Sequence, residues 1–279
     1  MFYNQTTSNL IDLALSEDIG LGDITSASIF DAEHKSRGVV LAKEDMVLCG
    51  LDLIKLVFSK IDPSLKVKLT SKDGTKIKKG TRVASITGST LSLLAGERTA
   101  LNFIQRLSGI ATQSSKYAEL VKESGIKIID TRKTMPGWRY LEKYAVKCGG
   151  CYNHRLTLSE QVLIKDNHIA AAGSLEKAVK LARLNASHLS KIEVEAKTLS
   201  EVKQAIKAKA DIVLLDNMSP DLVKTCIALI DGKMLVEVSG GVTYTTLNSY
   251  LIKGVDFISV GALTHSVRSV DLSLDIIDY

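Results

Sequence analysis

The sequence predicts a two-part α/β protein: an α+β unit with an open sheet, followed by a parallel α/β barrel, full or partial, of six strands. Three observations lead there. From Ile126 onward, short β-branched apolar runs each lead into a helical stretch, the pattern of strands buried on both faces of a parallel sheet. The alternation continues through six strands without a reversal, and no glycine-rich dinucleotide fingerprint follows the first, which favours a barrel over an open doubly wound sheet. Before Ile126, the strand candidates are separated by Gly and Asp turns instead.

In chain order, residues 8–17 place apolar side chains at Leu10, Ile11, Leu13, Ala14 and Leu15 behind Ser8, a helix with an N-cap. The segment GLGDITS then reads as a turn-rich loop. Strands are expected at Gly38–Lys43, Leu65–Thr70 and Arg82–Thr87. The second alternates Leu65, Val67 and Leu69 against Lys66 and Lys68. A helix is expected at Leu51–Lys60 and a longer one from Leu91 to Glu123, with Gly96 and Gly109 as breaks. Gly109 marks the expected boundary between domains 1–109 and 110–279. Barrel strands follow at Ile126–Ile129, Val162–Ile164, Lys191–Val194, Ile212–Leu215, Met234–Val238 and Phe257–Val260. Helices are expected at Trp138–Cys148, Leu175–Ala186, Leu199–Ala208, Pro220–Ile230 and Tyr244–Lys253. The C-terminal tail is expected to pack back on the N-terminal domain.

Bulk properties exclude several classes. Of 279 residues, 45% are hydrophobic and 24% charged, ordinary globular composition. The net charge of +5 suits an anionic small molecule, and scattered lysines with 5% aromatics do not make a nucleic-acid surface. Cys49, Cys148, Cys151 and Cys226 are too few for a disulfide framework. Cys148-Gly-Gly-Cys151 has redox-motif spacing without a thioredoxin-like context, so it reads as two reduced thiols in a loop. Met1–Leu15 has no signal-peptide pattern and no apolar run is long enough to span a bilayer, so a cytoplasmic protein without membrane partners is expected.

A barrel carries its chemistry at the C-terminal strand ends. Here those ends are Asp130-Thr131-Arg132-Lys133-Thr134, Lys165-Asp166-Asn167-His168, Glu195, Asp216-Asn217, Glu237-Val238-Ser239-Gly240-Gly241 and Gly261. Strand ends meet solvent anyway, but that does not account for polar groups abutting every apolar interior. Arg132, Lys133, Lys165 and Arg155 form a cationic wall suited to phosphates and carboxylates. Glu195 and Asp216 beside it suggest Mg²⁺ shared with substrate oxygens, or salt bridges to the lysines. Ser239-Gly240-Gly241 and Gly261 suit a phosphate cradle. His154, next to Arg155, is a site candidate, while His168 reads as a loop anchor and His34 and His188 as surface residues. His265 receives no role.

TRKTMPGWR (131–139), KYAVKCGGCYNHR (143–155), LIKDNH (163–168), IEVEAK (192–197), LLDNM (214–218), EVSGGV (237–242) and ISVGALTHS (258–266) occur in that order, after EDIGLGDITS (17–26) and GERTALNFIQRLSGIAT (96–112). Together they resemble the quinolinate phosphoribosyltransferases over nearly the whole chain. The resemblance implies an N-terminal α/β sandwich, an incomplete α/β barrel and a homodimer. It implies conversion of quinolinate and phosphoribosyl pyrophosphate, with Mg²⁺, to nicotinate mononucleotide, pyrophosphate and CO2 for NAD synthesis. It assigns Arg132, Lys133, His154, Arg155 and Lys165 to quinolinate and the reacting centre, with Thr134 beside them. Arg98 would reach the partner subunit's site, Glu195 and Asp216 would hold ribose hydroxyls and Mg²⁺, and Ser239, Gly240, Gly241 and Gly261 the 5′-phosphate. Cys151 and Trp138 depart from the family pattern in loop positions.

Three other readings compete. Phosphoribosyltransferases that accompany molybdate-transport genes share an RKT motif but lack KDNH, present here at 165–168. A Schiff-base aldolase would need Lys165 desolvated. A non-catalytic metabolite sensor would retain the anion pocket without turnover.

Overall fold

The computed structural model describes residues 4–277. The first helix, α1 (Gln5–Ile19), begins earlier than Ser8 suggests, because the Asn4 side chain accepts the Thr7 N–H at 2.8 Å. The expected loop beyond it contains a short helix, α2 (Ile24–Ile29), capped by Asp23. Then come β1 (Lys35–Ala42), β2 (Met46–Val47), α3 (Leu51–Ile61), β3 (Lys66–Leu69), β4 (Lys76–Ile77), β5 (Arg82–Ser89) and α4 (Thr90–Leu120). After these lie β6 (Lys127–Ile129), α5 (Arg139–Cys148), β7 (Val162–Ile164), α6 (Asp166–Ala172), α7 (Leu175–Asn185) and β8 (Ile192–Ala196). The chain continues through α8 (Leu199–Lys207), β9 (Ile212–Asp216), α9 (Pro220–Ile230), β10 (Leu235–Ser239), β11 (Phe257–Ser259), α10 (Ala262–His265) and β12 (Leu272–Ile277).

Two compact units result. The first comprises Met1–Lys116, Thr134–Gly150 and Leu263–Tyr279; the second comprises Tyr117–Lys133 and Cys151–Ala262. The first unit is built on an antiparallel sheet of order β12-β1-β5-β3, with β2 and β4 pairing separately. As expected of the tail, it returns to this unit: β12 pairs along β1 from Arg37↔Ile277 to Ala42↔Leu272. Phe58, Phe103, Leu53 and Ile54 are fully buried in its core; each such side chain contributes roughly 1.5–3 kcal/mol. The breaks expected at Gly96 and Gly109 do not occur, and α4 is continuous. Gly109 serves close approach instead, since a Cβ there would collide with the Arg268 carbonyl.

The second unit holds the six parallel strands in the order β6-β11-β10-β9-β8-β7. The first strand pairs with the last and not with the second, so the order is cyclic with one seam, between β6 and β7: an incomplete barrel. The segment after Gly150 runs parallel to β6 at the seam, with an Ile129↔Tyr152 bridge. Helices start where capping groups stand. Ser174 caps α7, Thr198 and Glu201 form a capping box on α8, and Ser219 with Pro220 opens α9. The helix expected at Tyr244–Lys253 shrinks to a 3-10 turn at Leu247–Tyr250, because the Thr243 and Thr246 side chains bond to each other's backbone in a local turn.

Candidate active site

Strand alternation sets two tiers of side chains inside the barrel mouth. The upper tier is Lys165, Glu195, Asp216 and Ser239, each within one residue of the end of its strand. The tier beneath is Leu163, Glu193, Leu214 and Glu237, two residues earlier on the same strands. Above them opens a cleft of about 510 Å³, within the roughly 300–1,000 Å³ usual for small-molecule sites. Of the residues singled out by sequence, Arg132, Lys133, His154, Arg155, Lys165, Glu195, Asp216, Ser239, Gly240 and Gly241 all line it. Gly261 follows β11 but does not line the cleft. Arg98 and Thr134 belong to the first unit, where Arg98 is largely exposed near Glu97 and Thr134 accepts from Arg139 Nε at 2.9 Å.

The seam positions the basic residues. Asp130, fully buried after β6, accepts the Asn153 amide at 2.6 Å and the His154 N–H at 2.9 Å. That clamp presents His154 and Arg155 to the cleft. Arg155 donates from Nη1 to the Gln161 carbonyl at 2.8 Å, while its buried Nε has no partner. Burial lowers the Arg155 pKa, and the charge of Arg132 lowers it further. Arg155 thus sits in the positive field of Arg132 with one donor unspent, a setting that suits an anion.

Lys165 Nζ lies 3.2 Å from Glu195, and Lys197 lies 3.5 Å from the other Glu195 oxygen. The Lys165 side chain is 48% exposed, and an ion-paired, solvated ammonium is not the desolvated amine an aldolase requires. His168 plays the expected anchoring part: its Nδ1 accepts the Lys165 N–H at 3.0 Å where β7 gives way to α6. At the phosphate-cradle position, Gly240 and Gly241 both take positive φ, +89° and +64°. A Cβ on Gly240 would run into Asn217, itself left-handed at +55° and bonded through its N–H to the Ser239 carbonyl at 2.9 Å.

Sequence reasoning assigned no role to Glu193 and Glu237. Both are buried, and His154 Nε2 lies 3.2 Å from Glu193 and 3.8 Å from Glu237. Burial, followed by the charge of Glu193, pushes the Glu237 carboxyl well above its ordinary range. One oxygen of each has no hydrogen-bond partner. The available signal was the two-residue spacing: Glu193 must face the same interior as Glu195.

Comparison with known proteins agrees with this geometry. The C-terminal domain model of quinolinate phosphoribosyl transferase matches residues 110–275, and the N-terminal domain model matches 23–108. A Bacillus subtilis protein named "Probable nicotinate-nucleotide pyrophosphorylase (carboxylating)" is 46% identical over 260 residues, spanning 93% of this chain and 90% of its own. The mitochondrial quinolinate phosphoribosyltransferase (decarboxylating) 2a of Nicotiana tabacum is 40% identical over 286 residues, spanning 96% of this chain and 81% of its own. The solved nicotinate-nucleotide pyrophosphorylase of Francisella tularensis superposes with a TM-score of 0.94 at 40% identity, covering 99% of this chain and 98% of that one. A two-tiered barrel mouth with paired guanidiniums, reached by matches over both halves of the sequence, has one reading: this chain belongs to the quinolinate phosphoribosyltransferase family.

Proposed function

We propose that the protein transfers the phosphoribosyl group of phosphoribosyl pyrophosphate to quinolinate, with decarboxylation, giving nicotinate mononucleotide, pyrophosphate and CO2 for NAD synthesis. The observation that carries this is the Arg132–Arg155 pair with its unpartnered Nε, a receptor for a carboxylated ring.

Arg132, Arg155 and Lys165 bind the two quinolinate carboxylates, with Lys133 and His154 flanking the ring. Ser239, Gly240 and Gly241 receive the 5′-phosphate on backbone N–H groups. Held close to C1 of the ribose, the pyridine nitrogen attacks as pyrophosphate leaves. The positive charge on the sugar faces Glu195 and Asp216, and the departing anion faces the basic wall. The bond from the ring to the adjacent carboxylate then breaks: CO2 leaves, the electron pair stays on the ring carbon, stabilised by the neighbouring cationic nitrogen, and that carbon takes a proton from solvent. No covalent intermediate with the protein is needed.

Glu195 and Asp216 are hard oxygen donors that fit Mg²⁺, with substrate oxygens and water completing its shell. Neither belongs to a three-ligand cluster among the described residues, in keeping with an ion that arrives with its substrate. Bound there, Mg²⁺ would neutralise charge on the pyrophosphate. The proposal extends to a cytoplasmic homodimer in which Arg98 completes the partner's site. Among the described residues no helix is long and apolar enough to cross a membrane.

The test is turnover: purified protein with quinolinate, phosphoribosyl pyrophosphate and Mg²⁺, following nicotinate mononucleotide and CO2. Product should require all three. Quinolinate binding with no product would leave a sensor, and no binding would overturn the assignment.

A further inference from the structure

Away from the cleft, three side chains of the first unit converge from separate segments. Cys49 immediately precedes the N-cap of α3, Asp73 sits in the turn between β3 and β4, and Cys148 ends α5. Their ligand atoms all lie within 4.8 Å of one another. We propose that Cys49, Asp73 and Cys148 form a binding site for a soft divalent cation of the zinc class.

The donor set argues first. Two sulfurs and one carboxylate oxygen suit zinc and reject magnesium, which prefers oxygen alone. Tetrahedral bonds of about 2.0–2.3 Å put ligand atoms roughly 3.3–3.8 Å apart, so small side-chain rotations would enclose an ion. Three protein ligands leave a fourth position, and Cys148, only half-buried, opens it to water.

The supporting shell is already in place. Asp73 accepts the Leu51 N–H at 3.0 Å on one oxygen and the Tyr144 hydroxyl at 2.9 Å on the other. Ligating carboxylates are oriented by such outer hydrogen bonds. Cys49 is anchored by its N–H, donated to Ser108 Oγ at 2.9 Å, and Gly74 N–H ties the Asp73 turn to the Leu48 carbonyl at 2.8 Å.

Burial argues in the same direction: Cys49 is fully buried, unlike the exposed thiols of redox pairs, while half-buried Cys148 stands on the open side of the cluster. Cys148 and Cys151 read from sequence as two reduced thiols in a loop; Cys148 ends α5, Cys151 belongs to the second unit, and Cys49 is the thiol beside Cys148.

The experiment titrates metal-free, full-length protein with Co²⁺ and competes it with Zn²⁺. Expected is a thiolate-to-cobalt charge-transfer band that saturates at one ion per chain and disappears on adding zinc. Cys49→Ser and Cys148→Ser should each lose it, Cys226→Ser should keep it, and Tyr144→Phe should bind roughly 10–100-fold more weakly. Because Cys49→Ser can fail to fold, alkylation of Cys148 in the unaltered protein provides a second reading, and Zn²⁺ should slow it. No band, a band unchanged in Cys148→Ser, or alkylation indifferent to zinc each overturns the proposal. So does a Cys49–Cys148 disulfide forming in air without any cobalt binding, which would make the pair a redox device. None of these readouts depends on turnover of quinolinate.

Discussion

His154 Nε2 lies 3.2 Å from a Glu193 oxygen, so the imidazole at the cleft rests on a buried carboxylate. His154 Nδ1 accepts the Arg155 N–H at 2.7 Å, which leaves Nε2 to carry the proton toward Glu193. A second carboxylate, Glu237, stands 3.8 Å from the same nitrogen. The floor of the site therefore stacks two buried carboxyls, one of them held toward its protonated form by burial and by its neighbour, directly beneath a rim of positive charge.

That floor has a pH signature. Glu237 is pushed above its ordinary value of 4.5, so the folded protein keeps a proton that the unfolded chain releases. This stabilisation is complete below about pH 4.5 and is lost as pH rises through the elevated folded-state value. Across that window the wild type should lose stability relative to Glu237→Gln by up to about 1.4 kcal/mol per pH unit. Urea unfolding at stepped pH measures the difference, and parallel curves would show that Glu237 ionises normally.

Arg155→Lys should keep the fold and lose quinolinate. A charge-assisted hydrogen bond is worth about 1.5–3 kcal/mol, so kcat/KM for quinolinate should drop roughly ten- to a hundredfold, with KM for phosphoribosyl pyrophosphate little changed. Steady-state kinetics in both substrates would expose an equal loss in each, contrary to the assignment.

Gly240→Ala should cost about 1–2 kcal/mol from left-handed backbone alone, with more from the collision with Asn217. If the turn cradles the 5′-phosphate, phosphoribosyl pyrophosphate binding should weaken while quinolinate binding in its absence persists. Calorimetric titration with each ligand separates the two.

Asp130→Ala removes the buried acceptor of two hydrogen bonds, from the Asn153 amide and the His154 N–H. At about 0.5–1.5 kcal/mol for each lost bond, the midpoint of thermal unfolding should fall by a few degrees and quinolinate affinity should fall with it. An unchanged midpoint would mean that the seam clamp is dispensable.

Mixing Arg98→Ala with Asp216→Ala tests the shared site. Each variant should be inactive alone. Random reassortment makes half the dimers mixed, each with one intact site, so roughly a quarter of wild-type activity should return. No recovery after subunit exchange would place Arg98 outside the partner's site.

Much of this was legible because strands buried on both faces must be apolar and must end abruptly. Val162–Ile164 matched the structure residue for residue, and the residue after each run fell in the cleft except at the first and last: Asp130 is buried, with Thr131, Arg132 and Lys133 lining the cleft beyond it, and Gly261 lies outside. Glu193 escapes because an ionisable residue inside an apolar run looks like an interruption; Glu237 stands at a strand end without a role, and only the barrel shows that the two meet at His154. Strand β12 was hidden because its partner, β1, lies more than two hundred residues away in sequence. Helix α6 is hidden because Lys165-Asp166-Asn167-His168 reads as the end of a strand, although the Lys165 N–H bonded to His168 Nδ1 starts a helical turn. The helix break expected at Gly109 is absent because glycine marks both chain breaks and close contacts, and the contact with Arg268 is tertiary, although the two family models do meet there, at 108 and 110.

The chain passes between its two compact units at 116/117, 133/134, 150/151 and 262/263. No single cut of the polypeptide can therefore release either unit whole. A fragment ending near residue 109 would leave β1 without β12, an unpaired edge open to aggregation. A fragment beginning at residue 110 would carry Thr134–Gly150 and the last strand without the unit they belong to. Expression of separate halves should yield insoluble chains unless both are co-produced, and a circular permutant that keeps all three interleaved segments should fare better than either truncation.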